Sequence, residues 1–381
     1  MSAELTRNAV DVLPAGGLEE KLKLGRPLRV KLGIDPTGPD IHIGFAVVLE
    51  KLAAFQQEGH TAVLIVGDYT ARIGDPSGRS KERPVLADEV LDENATLFAE
   101  QAFKILDRGR TEIRYNSEWL GQLSYAEVVR LTRTMTVAQI LERDDFSKRF
   151  TAQESISLSE LLYPLMQAYD SVAVEADVEL GGTDQLYNLL TRRHVMEQYG
   201  VPAQVVLTTP LLVGTDGVEK MSKSRGNYVG IADTPEEQFG KTMSIPDEAL
   251  AQWWRLAGAA EPPKGEPMVS KLSLARTIAT RWHGEEAART AEAHFTRVVR
   301  EGQAPEEVAE TPLPEGDPVH LPAALAAAFG LSTSEVRRLI AQGGIKLDGV
   351  VVTELDVARE SLRDVTVQAG KRRFAHFRET A

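Results

Sequence analysis

The amino-acid sequence predicts a doubly wound α/β fold, a parallel sheet covered by helices, followed by a helical domain and a small C-terminal α/β module. Short apolar runs alternate with helical patterns through the first 230 residues. Runs such as AVLIV, residues 62–66, are apolar on both faces, as buried strands of a parallel sheet require. Helical patterns alone, such as EEAARTAEAHFTRVV, fill residues 232–310.

The first domain, residues 1–231, is a predicted nucleotide-binding domain, because open sheets of this kind bind nucleotides beyond the carboxyl ends of their strands. Its first helix should begin near Gly44 and end near Gly59, since glycine is favoured just past a helix C-terminus. The predicted strands are Leu28–Ile34, Thr61–Val66, Glu112–Tyr115, Val178–Leu180 and Val205–Thr208.

Two further regions follow the first domain. The helical domain covers residues 232–310, and residues 302–318, which are rich in proline and acid, are interpreted as a linker. The last module, residues 318–381, contains a helix that opens with a capping box at Ser332. Asp348-Gly349, between two apolar runs, is typical of a hairpin turn.

Composition excludes several classes of site. The chain has no cysteine, which excludes disulfides, thiolate zinc sites and thiol nucleophiles. Its seven histidines lie far apart without metal-ligand spacing, so no metal site is predicted. No stretch approaches the roughly 18 apolar residues of a membrane span, and the N-terminus has no apolar signal core. The sequence therefore predicts a cytoplasmic protein with no membrane partner.

Charge is distributed unevenly along the chain, whose formal net charge is −13. From residue 318 onward there are nine Lys/Arg and seven Asp/Glu, a net charge of +2, which leaves −15 on residues 1–317. A slightly basic tail on an acidic body could contact a phosphate backbone locally.

The segment DPTGPDIHIGF, residues 35–45, joins the first strand to the first helix. A helix N-terminus offers free N–H groups to an anion, and Gly44 permits the close approach of a base or phosphate. His42 and Thr37 can donate hydrogen bonds to charge on a leaving phosphate; a histidine that merely caps the helix is the alternative. Phe45 either packs on the apolar face of the helix or contacts the nucleotide.

The segment KMSKS, residues 220–224, follows the fifth strand. The ammonium groups of Lys220 and Lys223 can clamp a triphosphate and follow its charge into the transition state. A solvated basic loop is the alternative interpretation of a short lysine pair.

Three polar residues share one face of a predicted helix. Tyr163, Gln167 and Asp170 lie at positions i, i+4 and i+7, which fall close together around a helix. They suit a polar ligand; an exposed polar stripe is the alternative. The turn segments IGDPSGRS, residues 73–80, and GGTDQ, residues 181–185, follow the second and fourth strands, where the sheet binds ligands.

These segments together resemble a known family. KMSKS is the second signature of class I aminoacyl-tRNA synthetases, and HIGF resembles their first signature, HIGH. The segments YPLMQAYD, IGDPSGRS and GGTDQ are similar, in order and spacing, to those of bacterial tyrosyl-tRNA synthetases. The resemblance covers nearly the whole chain. It has two departures, Phe45 where the family has histidine and Lys31 where some members have tyrosine and others lysine.

The resemblance implies an ATP-dependent tyrosine–tRNA ligase. Such an enzyme activates tyrosine with ATP to tyrosyl-adenylate and pyrophosphate, then transfers tyrosine to the 3′ end of its tRNA, with Mg²⁺ carried on the nucleotide. Residues 134–150 are similar to the region in which members pair into homodimers. The tail resembles a small RNA-binding fold, in which Arg337, Arg338 and Lys346 would face tRNA phosphates.

The resemblance also assigns roles to individual residues. Asp75, Tyr163 and Gln167 would hold the substrate ammonium, Asp170 would accept from the phenol hydroxyl beside Lys31, and Gln185 would lie near the amino acid and the α-phosphate. Asp184 would bind the ribose. The implied ATP-binding set is Gly44, Phe45, Gly182, Asp184, Met221 and Lys223. The implied catalytic set is Thr37, His42, Lys220 and Lys223.

Three alternatives remain open at this point. A tryptophanyl-tRNA synthetase shares the sheet and both signatures, but would not need Asp170 and usually lacks the tail. A retired synthetase that only binds RNA is suggested by HIGF, against which the intact KMSKS argues. A small-molecule adenylyl- or nucleotidyltransferase would give the helical domain and tail no purpose.

Overall fold

A computed structural model of the chain describes residues 2–36, 38, 40–74, 87–258, 260–263, 265–301, 308–370 and 373–379. The chain divides into two compact units. The first comprises Met1–Thr234 and Lys241–Leu274, and the second comprises Pro235–Gly240 and Ala275–Ala381. The three-domain division expected from the sequence, 1–231, 232–310 and 318–381, remains a prediction.

The first unit contains a six-stranded sheet in the order β1-β6-β5-β2-β3-β4. Strands β2 to β6 pair in parallel, and they confirm the five predicted strands to within two residues. The three-residue β1, which pairs antiparallel with β6 at the edge, was not predicted. The strands are β1 (Asp11–Leu13), β2 (Arg29–Ile34), β3 (Thr61–Val66), β4 (Thr111–Tyr115), β5 (Val178–Gly182) and β6 (Val205–Thr209).

Strand order reverses between β2 and β5, because β2 continues to β3 on one side while β5 and β6 lie on the other. A crevice at the carboxyl ends of two such strands is where open α/β sheets bind ligands. The helices described up to residue 198 are α1 (Ser2–Thr6), α2 (Gly17–Leu22), α3 (Ile43–Gln57), α4 (Asp88–Ala102), α5 (Ser117–Leu120), α6 (Tyr125–Thr132), α7 (Val137–Leu141), α8 (Asp144–Thr151), α9 (Leu158–Ala173) and α10 (Leu186–Gln198).

Two of these helices begin as the sequence indicates. Helix α3 starts at Ile43 behind the N-cap His42 and is followed by Gly59 at a φ of 91°. Helix α9 starts with a complete capping box, in which Ser157 and Glu160 satisfy each other's backbone N–H groups. The capping box fixes where α9 begins, and therefore fixes the positions of Tyr163, Gln167 and Asp170 along it.

A buried ion cluster ties the centre of this sheet together. Lys31 of β2 lies opposite Glu179 of β5 in the parallel register, and its ammonium is 2.9 Å from the carboxylate. Both side chains are 1% exposed or less. Glu179 also accepts from Arg192 and Gln204, and from the Ser171 hydroxyl at 3.2 Å. Burial alone would raise the pKa of Glu179, but Arg192 and Lys31 hold it below its ordinary value.

The region after the first domain is helical in its described residues, as predicted. Leaving aside residues 259 and 264, no strand occurs between residues 232 and 301, and a π-helical turn spans Thr296–Arg300. None of the helices in the described part of the chain combines the length and apolarity that crossing a membrane requires. The helices here are α11 (Pro235–Met243), α12 (Leu250–Leu256), α13 (Pro267–His283) and α14 (Glu285–Phe295).

The last part of the second unit is a small α/β module. Its main sheet has the order β10-β9-β12-β13-β7, and β8 pairs with β11. The predicted hairpin is confirmed, since Asp348 and Gly349 join β9 to β10 with φ angles of 44° and 84°. The elements are β7 (Glu310–Pro312), β8 (Val319–His320), α15 (Leu321–Phe329), α16 (Thr333–Ala341), β9 (Ile345–Leu347), β10 (Val350–Val351), β11 (Asp356–Val357), β12 (Val365–Ala369) and β13 (Arg373–Arg378).

The predicted linker is wrong in its second half. Glu310–Pro312 form β7, which pairs in parallel with β13 at the edge of the sheet. An edge strand tolerates Pro312, because its missing N–H removes no hydrogen bond from an inner ladder. Residues 302–307 of the predicted linker lie outside the described residues.

Replacing Glu179 by alanine tests the buried cluster. Glu179→Ala leaves two buried cations without their carboxylate, so we expect the free energy of unfolding to fall by about 3–5 kcal/mol. The matched control is Glu112→Ala, which removes a half-exposed ion pair with Arg29 from β4 and should cost at most about 1 kcal/mol. Urea denaturation followed by tryptophan fluorescence measures both. Equal, small losses would show that the cluster is not a constraint.

Candidate active site

A cavity of about 340 Å³ opens at the carboxyl ends of β2, β5 and β6, beside the N-terminus of α3. This is the edge of the sheet that the strand pattern predicts. The predicted site residues on its wall are His42, Gly44, Phe45, Tyr163, Gln167, Gly182, Asp184, Gln185, Lys220 and Met221. Both signature segments and the polar face of α9 therefore meet at one opening.

His42 is held as a neutral ring. Its Nδ1 accepts from the backbone N–H of Phe45 at 3.1 Å, so the neutral imidazole carries its proton on Nε2. Burial, together with the positive charges of Lys223 and Lys220, lowers the pKa of His42 from 6.5 to about 4. His42 therefore both caps α3, which was the alternative interpretation, and remains a neutral donor on the cavity wall.

One face of α4 supports the segment that leads into α3. The Asn94 amide donates to the Pro36 carbonyl at 3.1 Å, and the Gln101 side-chain oxygen accepts from the Ile41 N–H at 2.8 Å. Asn94, Phe98 and Gln101 have the i, i+4, i+7 spacing of a single helix face. This support fixes the backbone on both sides of the turn that positions His42.

Phe45 fills the space between that face and the cavity. Its ring packs edge-to-face on the Phe98 ring, with centroids 5.4 Å apart, and at 6.5 Å from the His42 ring. Phe45 is also on the cavity wall. The two interpretations of Phe45, packing and contact with a ligand, are thus compatible in one side chain.

Gly44 brings the KMSKS segment against α3. Its N–H donates to the Met221 sulfur at 3.3 Å, and a Cβ on Gly44 would lie 3.2 Å from the Met221 Cβ. A larger residue would push the two segments apart. At Gly182 a Cβ would lie 2.7 Å from a Leu211 methyl group, so this position also has no room for a side chain.

The two lysines of KMSKS reach different partners. The Lys220 ammonium is 2.6 Å from Asp184, and both side chains are partly exposed. The Lys223 ammonium donates to the Gly38 carbonyl at 2.9 Å. Both cations are close enough to His42 to add to the effect of burial in lowering its pKa.

A chain of hydrogen bonds runs along the amino-acid side of the cavity. The Tyr163 hydroxyl donates to Asp35 at 2.6 Å, and the Gln167 amide donates to the Tyr163 oxygen at 2.6 Å. Arg192 donates to the Gln167 carbonyl oxygen at 2.6 Å. Gln185 lies farther along the wall, where it accepts from Asn188.

Asp170 lies beyond the cavity wall. Its two oxygens accept from the Trp119 indole at 2.9 Å and from the Asn116 amide at 3.4 Å. Burial raises the pKa of Asp170 to about 6, against the opposing effect of the nearby Lys31 cation. Lys31 is likewise absent from the wall, since it is engaged with Glu179.

Several predicted residues lie elsewhere. Thr37 and Asp75 are outside the described residues. In the second unit, Arg337 and Arg338 are exposed neighbours on α16, and Lys346 is on β9. Among the described residues, no group of three or more His, Asp or Glu side chains is arranged to hold a metal ion.

Two charged residues of the cavity wall, Asp35 and Arg192, are not among the predicted site residues. Asp35 directly follows β2, and a carboxylate at the end of a strand is a signal that the sequence offers. Arg192 is one of several charged residues of α10, and nothing in its spacing marks it.

The low pKa of His42 makes stability depend on pH. In the unfolded state His42 has its ordinary pKa of 6.5, whereas in the folded state its pKa is about 4. Between these two pH values the unfolded state therefore binds more protons than the folded state, which lowers the free energy of unfolding. Stability from this group is therefore complete above pH 6.5 and is lost as pH falls toward 4. Between pH 7 and pH 5 we expect the free energy of unfolding to fall by about 1–2 kcal/mol more in the wild type than in His42→Asn.

Asparagine supplies a capping oxygen in place of the His42 Nδ1 and has no titrating ring, which makes His42→Asn the matched reference. Urea denaturation at half-unit pH steps measures the difference between the two proteins. Parallel curves for the two proteins would show that His42 is not held neutral by its surroundings.

Comparison with known proteins agrees with this geometry. The family pattern "tRNA synthetases class I (W and Y)" matches residues 23–309. Tyrosine–tRNA ligases of Moorella thermoacetica and Salinibacter ruber are 47% and 49% identical, covering 97% and 98% of this chain and 94% and 95% of their own. The structure of an Archaeoglobus fulgidus tyrosyl-tRNA synthetase complexed with L-tyrosine has a TM-score of 0.62 at 25% identity, covering 76% of this chain and 98% of that chain. The chain belongs to the tyrosyl-tRNA synthetases, within the class I tRNA synthetases.

Proposed function

We propose that this chain activates tyrosine with ATP and transfers it to the 3′ end of its tRNA. The tyrosine carboxylate attacks the α-phosphorus of ATP, and pyrophosphate leaves; a ribose hydroxyl of the tRNA then attacks the acyl carbonyl of tyrosyl-adenylate. The observation that supports this most is that His42, Lys220 and the Tyr163–Gln167 pair line one cavity. One cavity thereby holds groups that suit phosphate and groups that suit an amino acid, as the reaction of a tyrosine carboxylate with the α-phosphorus of ATP requires.

Activation needs positioning and charge neutralisation more than covalent help. Lys220 and Lys223 neutralise charge on the leaving pyrophosphate. His42 donates a hydrogen bond from its Nε2–H group to a phosphate oxygen, and because its ring is neutral it adds no third positive charge. Thr37, outside the described residues, would be a further donor. Mg²⁺ arrives on ATP as part of the substrate. Asp184 accepts hydrogen bonds from the ribose hydroxyls, and these replace its ion pair with Lys220.

The residues that contact the nucleotide lie at the start of α3 and next to it. Gly44 and Gly182 have no side chain to obstruct a close approach of the base or ribose. Phe45 and Met221 offer apolar surface to the adenine.

Tyrosine binds on the other side of the cavity. Tyr163 and Gln167, with Asp75, hold the ammonium group, and Gln185 lies near the substrate carboxylate and the α-phosphate. Asp170 accepts from the phenol hydroxyl. Lys31 favours the ionised form of Asp170, which alone accepts on both oxygens.

The remaining parts of the proposal concern partners. Arg337, Arg338 and Lys346 face the tRNA backbone. Two copies of the chain pair into a homodimer through the surface of α6 to α9, which exposes the apolar side chains of Tyr125, Val137, Phe150 and Leu158. The enzyme acts in the cytoplasm.

Amino-acid-dependent pyrophosphate exchange tests the assignment. With all twenty amino acids offered, only tyrosine should support exchange in the wild type. Asp170→Ala should lose mainly the discrimination against phenylalanine, about 10⁴–10⁵ for sites built around a hydroxyl, of which tyrosyl-tRNA synthetases are themselves the standard example. The control is Asp177→Ala, whose buried carboxylate pairs with Arg26 away from the cavity. If Asp170→Ala still strongly prefers tyrosine, Asp170 is not the residue that recognises the phenol hydroxyl.

Phe45→His tests the departure from the family signature. Restoring a hydrogen-bonding ring beside the nucleotide should change the rate of adenylate formation or the affinity for ATP by up to about ten- to a hundredfold. Tyrosine affinity should change little. Stopped-flow measurement of adenylate formation at varied ATP and tyrosine concentrations gives the rate and both affinities.

Phe98→Leu is the control for Phe45→His, because it removes the same ring contact from outside the cavity. If both variants lower stability equally and neither changes the kinetics, Phe45 only packs.

Removing the three basic residues of the module tests its role. The triple variant of Arg337, Arg338 and Lys346 to alanine should raise the KM for tRNA and reduce its salt dependence, leaving pyrophosphate exchange unchanged. The control is Arg363→Ala, whose guanidinium already pairs with Glu379. An unchanged KM for tRNA would remove this surface from the mechanism.

A further inference from the structure

Arg192 connects the buried ion cluster to the amino-acid side of the cavity. Its side chain on α10 is only 7% exposed, yet it is on the cavity wall. One end of the guanidinium donates to Glu179, and the other donates to the Gln167 carbonyl oxygen at 2.6 Å. The proposed mechanism uses Gln167 but gives Arg192 no part.

The chemistry of the guanidinium fixes the direction of the neighbouring hydrogen bonds. Arginine has only donors, so Gln167 must turn its oxygen toward Arg192 and its amide nitrogen toward Tyr163. The Tyr163 oxygen accepts that amide at 2.6 Å, and its own proton goes to Asp35 at 2.6 Å. With Gln167 flipped, its amide would oppose the guanidinium, and its oxygen would compete with Asp35 for the Tyr163 proton.

This direction determines what the cavity offers a ligand. Tyr163 and Asp35 both line the cavity, and because the only proton between them is directed from Tyr163 to Asp35, both present oxygen acceptors. A primary ammonium has three donors and no acceptor, so it requires this polarity. With Gln167 reversed, the Tyr163 hydroxyl would donate to the Gln167 oxygen and no longer to Asp35, so Tyr163 and Asp35 would lose the hydrogen bond that joins them.

We propose that Arg192 is a positioning residue for the substrate's ammonium group. It holds Gln167 in one orientation and, through Gln167, directs the Tyr163 hydroxyl toward Asp35. Glu179 in turn holds the guanidinium, because its buried carboxylate fixes one end of the fork. This inference rests on the proposed function, since it assigns the orientation of the amino-acid site.

Lysine is the informative replacement for Arg192. It keeps a positive charge opposite Glu179, which also retains Lys31, Ser171 and Gln204 as donors. Its single ammonium cannot reproduce the two-ended fork that reaches both Glu179 and Gln167. Arg192→Lys therefore removes the orientation of Gln167 with little change in buried charge.

Steady-state pyrophosphate exchange measures the consequence. In Arg192→Lys we expect the KM for tyrosine to rise about tenfold or more, with kcat and the KM for ATP changing less than about threefold. Active-site titration limits the comparison to folded enzyme. The matched control is Arg193→Lys, the next residue on α10, whose guanidinium donates to the Gln204 carbonyl and is off the cavity wall. It should leave all three constants unchanged.

A double-mutant cycle separates positioning from a general structural effect. In the Gln167→Ala background, Arg192→Lys should have almost no further effect on the KM for tyrosine, because the residue through which it acts is gone. An undiminished effect there, no effect in the wild-type background, or a variant with no folded fraction would each overturn the inference. If the wild type itself gives no tyrosine-dependent exchange, the proposed function fails instead.

Discussion

Burial of one carboxylate, Glu179, is the constraint on which the rest of the site depends. It is fully enclosed on β5, at the middle of the sheet, next to the point where strand order reverses. A buried charge without partners costs several kcal/mol, and the donors that prevent this come from β2, α9, α10 and the residue before β6. The described residues that supply them are Lys31, Ser171, Arg192 and Gln204. Satisfying one group therefore fixes the elements that form the amino-acid side of the cavity.

The opposite side of the cavity follows different electrostatics. Burial, together with the cations Lys223 and Lys220 on a segment that contacts α3 through Met221, lowers the pKa of His42 and keeps its ring neutral. A neutral donor and two cations suit a polyanion that loses pyrophosphate, since each can strengthen its bond as charge moves outward. The buried charges behind one side of the cavity are therefore paired within the protein, whereas Lys220 and Asp184 on its wall are partly exposed.

Most of the fold was predictable, because long apolar runs and contiguous motifs are local signals. Strand β3, for example, is apolar on both faces, whereas β1 has three half-buried residues and no pattern to recognise. Site residues in contiguous segments were found for the same reason. The bond from Trp119 to Asp170 joins residues 51 apart, and that from Arg192 to Gln167 residues 25 apart. Such contacts depend on tertiary packing, so a single charged residue within a helix carries no signal of them.

Phe45 illustrates how a departure from a signature is accommodated. The residue occupies the first turn of α3, where the signature histidine would present a hydrogen-bonding ring to the nucleotide. Here the ring rests on Phe98, from the same face of α4 whose Asn94 and Gln101 hold the backbone around His42. An aromatic contact of this kind contributes about 0.5–1.5 kcal/mol beyond burial, comparable to the net value of one hydrogen bond. The substitution therefore places an apolar ring, packed on Phe98, where the signature has histidine, and it leaves the neutral ring of His42 as the donor at that end of the helix.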